Sequence, residues 1–354
     1  MLAKNVVLGA LLALLWSLPA QAQAICKSTE PSVVITLPAR PYAALASADG
    51  CRIFATTQDT ATAGSVTVAT FKDGKYSIAA HIPLTFSPQG AVLSHDGKLL
   101  VAVGADGIGF VDAEKFTLLG SLDDGSKGPS HAEVSGDDKQ LFVSDEFGNT
   151  VTMIDLVKAR AGGFKPDSIV AKIPTGTQPI GVVMSPDQRF LYAAVEIGKS
   201  EPTCKDAARA GATEAPPYAE GNLSIIDVAK KSVVAELPAG CRAIRVVLSK
   251  DGKRAFISAR GSNDIIAFDT EKRARIGQVK LPTASFGIAL SKDGSTLYAA
   301  AGSALTLIDT ATVTIKGTLP ITGAARELWA SNDGNMLVLA IGSPGSVEIL
   351  QAPK

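Results

Sequence analysis

The side chains of this sequence that could do chemistry fall at two recurring phases. His131, Arg245 and Glu327 each stand four residues before the serine of a repeated phrase, while Glu146, Glu196 and Arg260 close the apolar run that follows one. A histidine beside a carboxylate, Glu146 or Glu196, forms an acid–base pair, and Arg245 or Arg260 would grip an anionic group with a planar guanidinium. The plainer alternative is a rim of charges that pair with one another and with water, since ionic networks also form without function. Trp329 lies two residues beyond Glu327, so an extended strand puts both on one side.

The phases are set by seven copies of one phrase: "ASADGCRIFA", "LSHDGKLLVA", "VSGDDKQLFV", "MSPDQRFLYA", "LSKDGKRAFI", "LSKDGSTLYA" and "ASNDGNMLVL". Their serines are Ser47, Ser94, Ser135, Ser185, Ser249, Ser291 and Ser331, at intervals of 47, 41, 50, 64, 42 and 40 residues. Asp-Gly between short β-rich runs signals a hairpin, because glycine tolerates the positive φ of a tight turn. Each copy continues into a second and a third strand, then a fourth rich in β-branched residues that ends near Pro or Gly. Four short strands in roughly 40–50 residues is the period of a propeller blade. No segment keeps an apolar period of 3.6 over about twelve residues, so helical repeats do not fit. The expected fold is an all-β, seven-bladed β-propeller.

The seventh copy stops after its third strand, "SVEILQAP", and the missing fourth is found at the front as "SVVITLPAR", Ser32 to Arg40. Residues 32–40 are therefore expected to close the ring and leave no open sheet edge. Four cysteines, Cys26, Cys51, Cys204 and Cys241, admit three pairings by count alone. In an up-and-down blade the strand 1–2 and strand 3–4 turns share one face of the disc, which takes Cys26 and Cys51. Cys204, in the strand 2–3 loop of blade 4, and Cys241, in the link to blade 5, fall on the other. The expected disulfides are Cys26–Cys51 and Cys204–Cys241. The second would pin an insertion at about 198–220 that accounts for the 64-residue interval. No Cys-x-x-Cys occurs, and His81, His95 and His131 are scattered, so neither metal nor cofactor is expected.

The face with the inter-blade links and strand 2–3 loops is the expected channel mouth. Its ring, one residue per blade, reads Ala43, Gly90, His131, Gly181, Arg245, Gly287 and Glu327. The ends of the second strands add Gln58, Glu146, Glu196 and Arg260. The predicted binding set is His131, Glu146, Glu196, Arg245, Arg260, Glu327 and Trp329, weighted toward blades 3 to 5.

The stretch "SPDQRFLYAA" followed by "GNLSIIDVAKKSVVAELPAG" resembles the YVTN-type β-propeller repeat, and the resemblance spans nearly the whole mature chain. It implies the fold and an exported habit more than any one activity. The seven-bladed lactonases, the phosphogluconolactonase and carboxymuconate cyclase group, are related to this repeat. Similarity to them implies catalytic roles for Glu196 in "YAAVE", Arg260 in "SARGSNDIIAF" and His131 in "GPSHAEVS". His131 is displaced by one residue from that group's pattern, and the arginine expected before the blade 4 phrase is missing near Ile180. A one-residue displacement in a strand turns a side chain to the opposite face.

The composition is that of a globular chain, 46% hydrophobic over 354 residues, and Lys+Arg and Asp+Glu are both 34. No global field therefore favours nucleic acid. At the front, Lys4 precedes an apolar run from Val6 to Leu18 and then Ala-x-Ala, the layout of a signal peptide over residues 1–24. That run is short for a membrane span, so residues 25–354 are expected as one periplasmic or secreted domain without a transmembrane segment. The expected function is a monomeric propeller that binds a small anionic ligand or a protein partner at the mouth without turnover. Two rivals stand beside it. One is a lactonase-like hydrolase or isomerase acting on a lactone or sugar acid through Glu196, Arg260 and His131. The other is a scaffold for an envelope complex that docks through the blade 4 insertion.

Overall fold

The computed structural model describes residue 26 and residues 28–104, 106–125, 127–200, 202–205, 217–331 and 334–353. The expected signal peptide and residues 206–216 of the insertion lie outside the described residues.

Each of the first six repeated phrases is a turn held by its own side chains. In blade 6 the Ser291 hydroxyl donates to Asp293 at 2.6 Å, the same carboxylate accepts the Ser295 amide at 3.0 Å, and the Ser291 oxygen accepts the Thr296 amide at 3.0 Å. Those hydrogen bonds, led by Ser291, hold the Asp293 carboxyl down to about 2. The same Ser-to-Asp bond recurs from Ser47, Ser94, Ser135, Ser185 and Ser249. Gly294 completes its turn at φ +71°, where a side chain would be strained.

The turns link strands into seven four-stranded antiparallel sheets. The innermost strands are Arg40–Ala46, Pro88–Leu93, Pro129–Val134, Thr177–Met184, Ala243–Leu248, Ser285–Leu290 and Ala325–Ala330. Blade 7 takes its outermost strand from the front of the chain. Ser32–Thr36 pairs with Ser346–Gln351, with Ile35 opposite Val347. This closing strand is shorter than the expected 32–40. It ends because Pro38 has no amide to continue the ladder, and Arg40 already opens the innermost strand of blade 1.

Seven apolar clusters fill the seven gaps between neighbouring blades. Phe54, Phe110, Phe142, Phe256 and Tyr298 are fully buried in them, each adding about 2–3 kcal/mol of apolar burial. The closure gap sets Ile35 and Val347 of blade 7 against Ala44 and Ile53 of blade 1. Every cluster is shared, so no blade buries its faces alone.

A helix the sequence reading did not anticipate, Leu156–Gly162, sits between the third and fourth strands of blade 3. Two turns are too short to display a period. Asp155 caps it by accepting the Lys158 amide at 2.9 Å, and the chain leaving it lays Phe164 on Phe110 with ring centroids 4.2 Å apart. Both disulfides form as expected: Cys26–Cys51 with Cα atoms 4.9 Å apart and Cys204–Cys241 at 5.7 Å. Such bridges contribute about 2–4 kcal/mol each. No helix among the described residues is long and apolar enough to cross a membrane.

Candidate functional site

Six of the innermost strands bulge at the same place, immediately before the ring residue. The register shifts between Pro129 and His131, Ala243 and Arg245, and Ala325 and Glu327, and likewise in blades 1, 2 and 6. Blade 4 shifts between Pro179 and Val182. The bulge absorbs the extra residue, which in blade 3 is Ser130. His131 therefore enters the ring in the same register as Arg245 and Glu327, despite its displacement in sequence.

The ring alternates from blade 2 to blade 7: glycine, then an ionisable residue, three times over. Each glycine admits the backbone of the blade after it. A Cβ at Gly90 would lie 2.5 Å from the Ser130 carbonyl oxygen, one at Gly181 2.7 Å from that of Ile244, and one at Gly287 2.4 Å from the Leu328 nitrogen. The blades brought in so closely are those carrying His131, Arg245 and Glu327. Arg245 then reaches past Gly287 of blade 6 to blade 7, where its Nε and Nη2 donate to Glu327 Oε2 at 2.8 and 2.5 Å.

Glu196 forms the second ionic knot. It is 0% exposed. Arg242 Nη1 donates to its Oε2 at 3.0 Å, and its Oε1 lies in ion contact with Arg260 Nη2. That second contact lacks hydrogen-bond alignment, so Oε1 and Arg260 Nε both count as buried atoms without a directed hydrogen bond. Both arginines rest against aromatic rings, Arg242 on Tyr218 at 5.0 Å and Arg260 on Phe286 at 5.8 Å. The Cys204–Cys241 bridge fixes this arrangement, because the Arg260 and Gly261 amides donate to the Arg242 and Cys241 carbonyls.

Between the two knots the mouth opens into a cavity of about 360 Å³. Four arginines, Arg40, Arg245, Arg260 and Arg326, stand in its described wall with one acidic side chain, Glu146. Burial, then the Glu196 charge, pushes the Glu146 carboxyl up, against the pull of Arg260, Arg245 and Arg242. Arg245 and Arg260 are answered by Glu327 and Glu196 behind the wall. Arg40 and Arg326 have no carboxylate partner among the described residues: Arg40 Nε donates to the Gly342 carbonyl at 3.0 Å, and Arg326 lies 4.6 Å over the Tyr42 ring.

His131 keeps some accessible surface, yet protein surrounds its imidazole. Burial first, then the Arg245 charge, pushes its pKa down to about 4 against the pull of Glu327, and its Nδ1 has no hydrogen-bond partner among the described residues. Two residues on, burial pushes Glu133 up to about 7 although its Oε1 accepts the Met184 amide at 3.1 Å.

The structure thus brings Glu146, Arg245 and Arg260 to one cavity, with Glu196 and Glu327 directly behind. Trp329 is elsewhere, against the apolar clusters at the two sides of blade 1. His131 makes no hydrogen bond or ion pair with Glu196 or Glu146 among the described residues. His95 pairs with Asp138 at 2.9 Å in an exposed turn, and His81 meets Asp59 at 3.4 Å on an outer strand. No group of three or more metal-ligating side chains is placed to hold an ion among the described residues. Sequence reasoning missed Arg40, Arg242 and Arg326. A signal existed for the first two: each stands three residues before its ring position, Ala43 and Arg245.

Fold and site define the molecule as a seven-bladed β-propeller with an arginine-lined mouth. No protein-family profile and no curated protein matches the sequence. Among solved structures it is similar to Kuenenia stuttgartiensis hydrazine synthase, with a TM-score of 0.71 and 18% identity over 90% of this chain and 97% of that one. It is also similar to the Myceliophteria thermophila Cps50 (Swd1) β-propeller domain, at 0.70 and 12% over 91% and 100%. At these identities the likeness is one of fold.

Proposed function

We propose that this protein is an exported propeller whose mouth binds a small anionic molecule without turnover. One observation carries the reading: a concave cavity whose described wall holds four arginines and a single carboxylate, two of the arginines having no carboxylate partner among the described residues. Its size is that of a small-molecule pocket, and fixed guanidiniums are suited to oxyanions. Binding is favoured over lactonase-like catalysis because Glu196 is buried with both oxygens on guanidiniums, and because His131 contacts neither Glu196 nor Glu146. The two disulfides and the signal-like start favour an oxidising compartment.

The test is calorimetric titration with a panel of small carboxylates, phosphates and lactones at low and high salt, with hydrolysis followed in parallel. Saturable binding that weakens as salt rises is expected, with no product formed. Lactone turnover abolished by Glu196→Gln would overturn the reading in favour of an enzyme.

A further inference from the structure

Resting on that anion site, we infer that the ligand is a phosphate monoester with an uncharged apolar body, its phosphate held between Arg40 and Arg326. These two guanidiniums come from different blades, 1 and 7, and meet at Gly342, the first residue of the strand 2–3 loop of blade 7. The Gly342 carbonyl takes Arg40 Nε, leaving both terminal nitrogens of that fork free of described partners. A Cβ on Gly342 would come within 2.7 Å of Arg326 Nε, so the bare backbone there is what lets the second guanidinium lie beside the first. Arg326 lies over the Tyr42 ring, 4.6 Å from its centroid, and its guanidinium has no hydrogen-bond partner among the described residues. The station thus carries two positive charges and several N–H donors, with no carboxylate to answer them among the described residues.

A carboxylate would neutralise one of those charges with two oxygens. A phosphate monoester brings a charge of about −1.5 to −2 at neutral pH and three acceptor oxygens, which matches the pair. Arg245 and Arg260, across the cavity, are already committed to Glu327 and Glu196 and offer no equal station. The rest of the wall supplies apolar surface for the ester's body: Ile180, Ile244 and the exposed ring of Phe286.

The experiment titrates the purified protein with phenyl phosphate, benzoate and inorganic phosphate at low salt. Phenyl phosphate should bind about tenfold or more tightly than benzoate, and more tightly than inorganic phosphate, which lacks the apolar body. Arg40→Gln and Arg326→Gln should each weaken phenyl phosphate by about tenfold or more, the scale of one charge-assisted hydrogen bond. Arg326→Lys should recover only part of that, having the charge without the fork. Arg40 is exposed, so its variant remains informative if Arg326→Gln does not fold. A folded Arg40→Gln protein that binds phenyl phosphate within about twofold of the parent would overturn the inference. Equal affinity for benzoate and phenyl phosphate would overturn it too, while leaving the anion site standing. If no anion in either panel binds, the site itself is refuted.

Discussion

His131 and Glu133 stand two residues apart on one strand, and their titrations should oppose each other. Burial and Arg245 lower His131 from 6.5 to about 4 against Glu327, and burial raises Glu133 from 4.5 to about 7 against the Met184 amide and His95. An imidazole that resists its proton in the fold adds stability that is complete above pH 6.5 and lost as pH falls from 6.5 toward 4. A carboxyl that keeps its proton in the fold adds stability that is complete below pH 4.5 and lost as pH rises toward 7. At about 1.4 kcal/mol per pH unit, each swing is worth about 3 kcal/mol. Between pH 4.5 and 6.5 the two nearly cancel. His131→Gln should therefore unmask the carboxyl, so that stability relative to the parent falls by about 3 kcal/mol from pH 4 to 6.5. Glu133→Gln should unmask the imidazole, and stability relative to the parent should rise by a similar amount from pH 4.5 to 7. Urea unfolding at half-unit pH steps reads both slopes. Two variants that track the parent profile, or slopes of the reverse sign, would refute the argument.

Two further outcomes follow from the ring and its ionic knots. Gly287→Ala places a methyl against the Leu328 backbone, 2.4 Å from its nitrogen, and should cost about 1–3 kcal/mol. Gly317→Ala, which meets nothing within 4 Å, is the control and should leave the melting temperature within a degree or two of the parent's. Glu196→Ala leaves two partly buried guanidiniums without their anion and should cost about 3 kcal/mol; a loss below about 1 kcal/mol in denaturant titration would show the knot to be ornamental.

The architecture was legible because it is written seven times. A Ser-x-Asp turn locks six of the hairpins locally, and the one blade lacking a fourth strand pointed to residues 32–40, of which Ser32–Thr36 form the strand. The disulfides followed from deciding which face each cysteine occupies. The site was legible only in part. The ring residues could be counted from the serines, and the shared bulge kept that count in phase even at His131. Arg245 meeting Glu327 two blades away could not be read, since it depends on the space left by Gly287. Arg326 was invisible for a related reason. It neighbours a ring residue but turns to the Tyr42 ring, a choice made by the curvature of the closed disc. Trp329 shares its strand side with Glu327, yet packing between blades claimed it.

The closing strand also sets an order of events. Ser32–Thr36 is synthesised well before its partner, Ser346–Gln351, and cannot pair until the six intervening blades have been made. Until then the gap between blades 7 and 1 cannot be sealed, and a cluster that includes Ile35, Val347 and Ile53 stays wet. Such a long-range pairing is entropically slow to find.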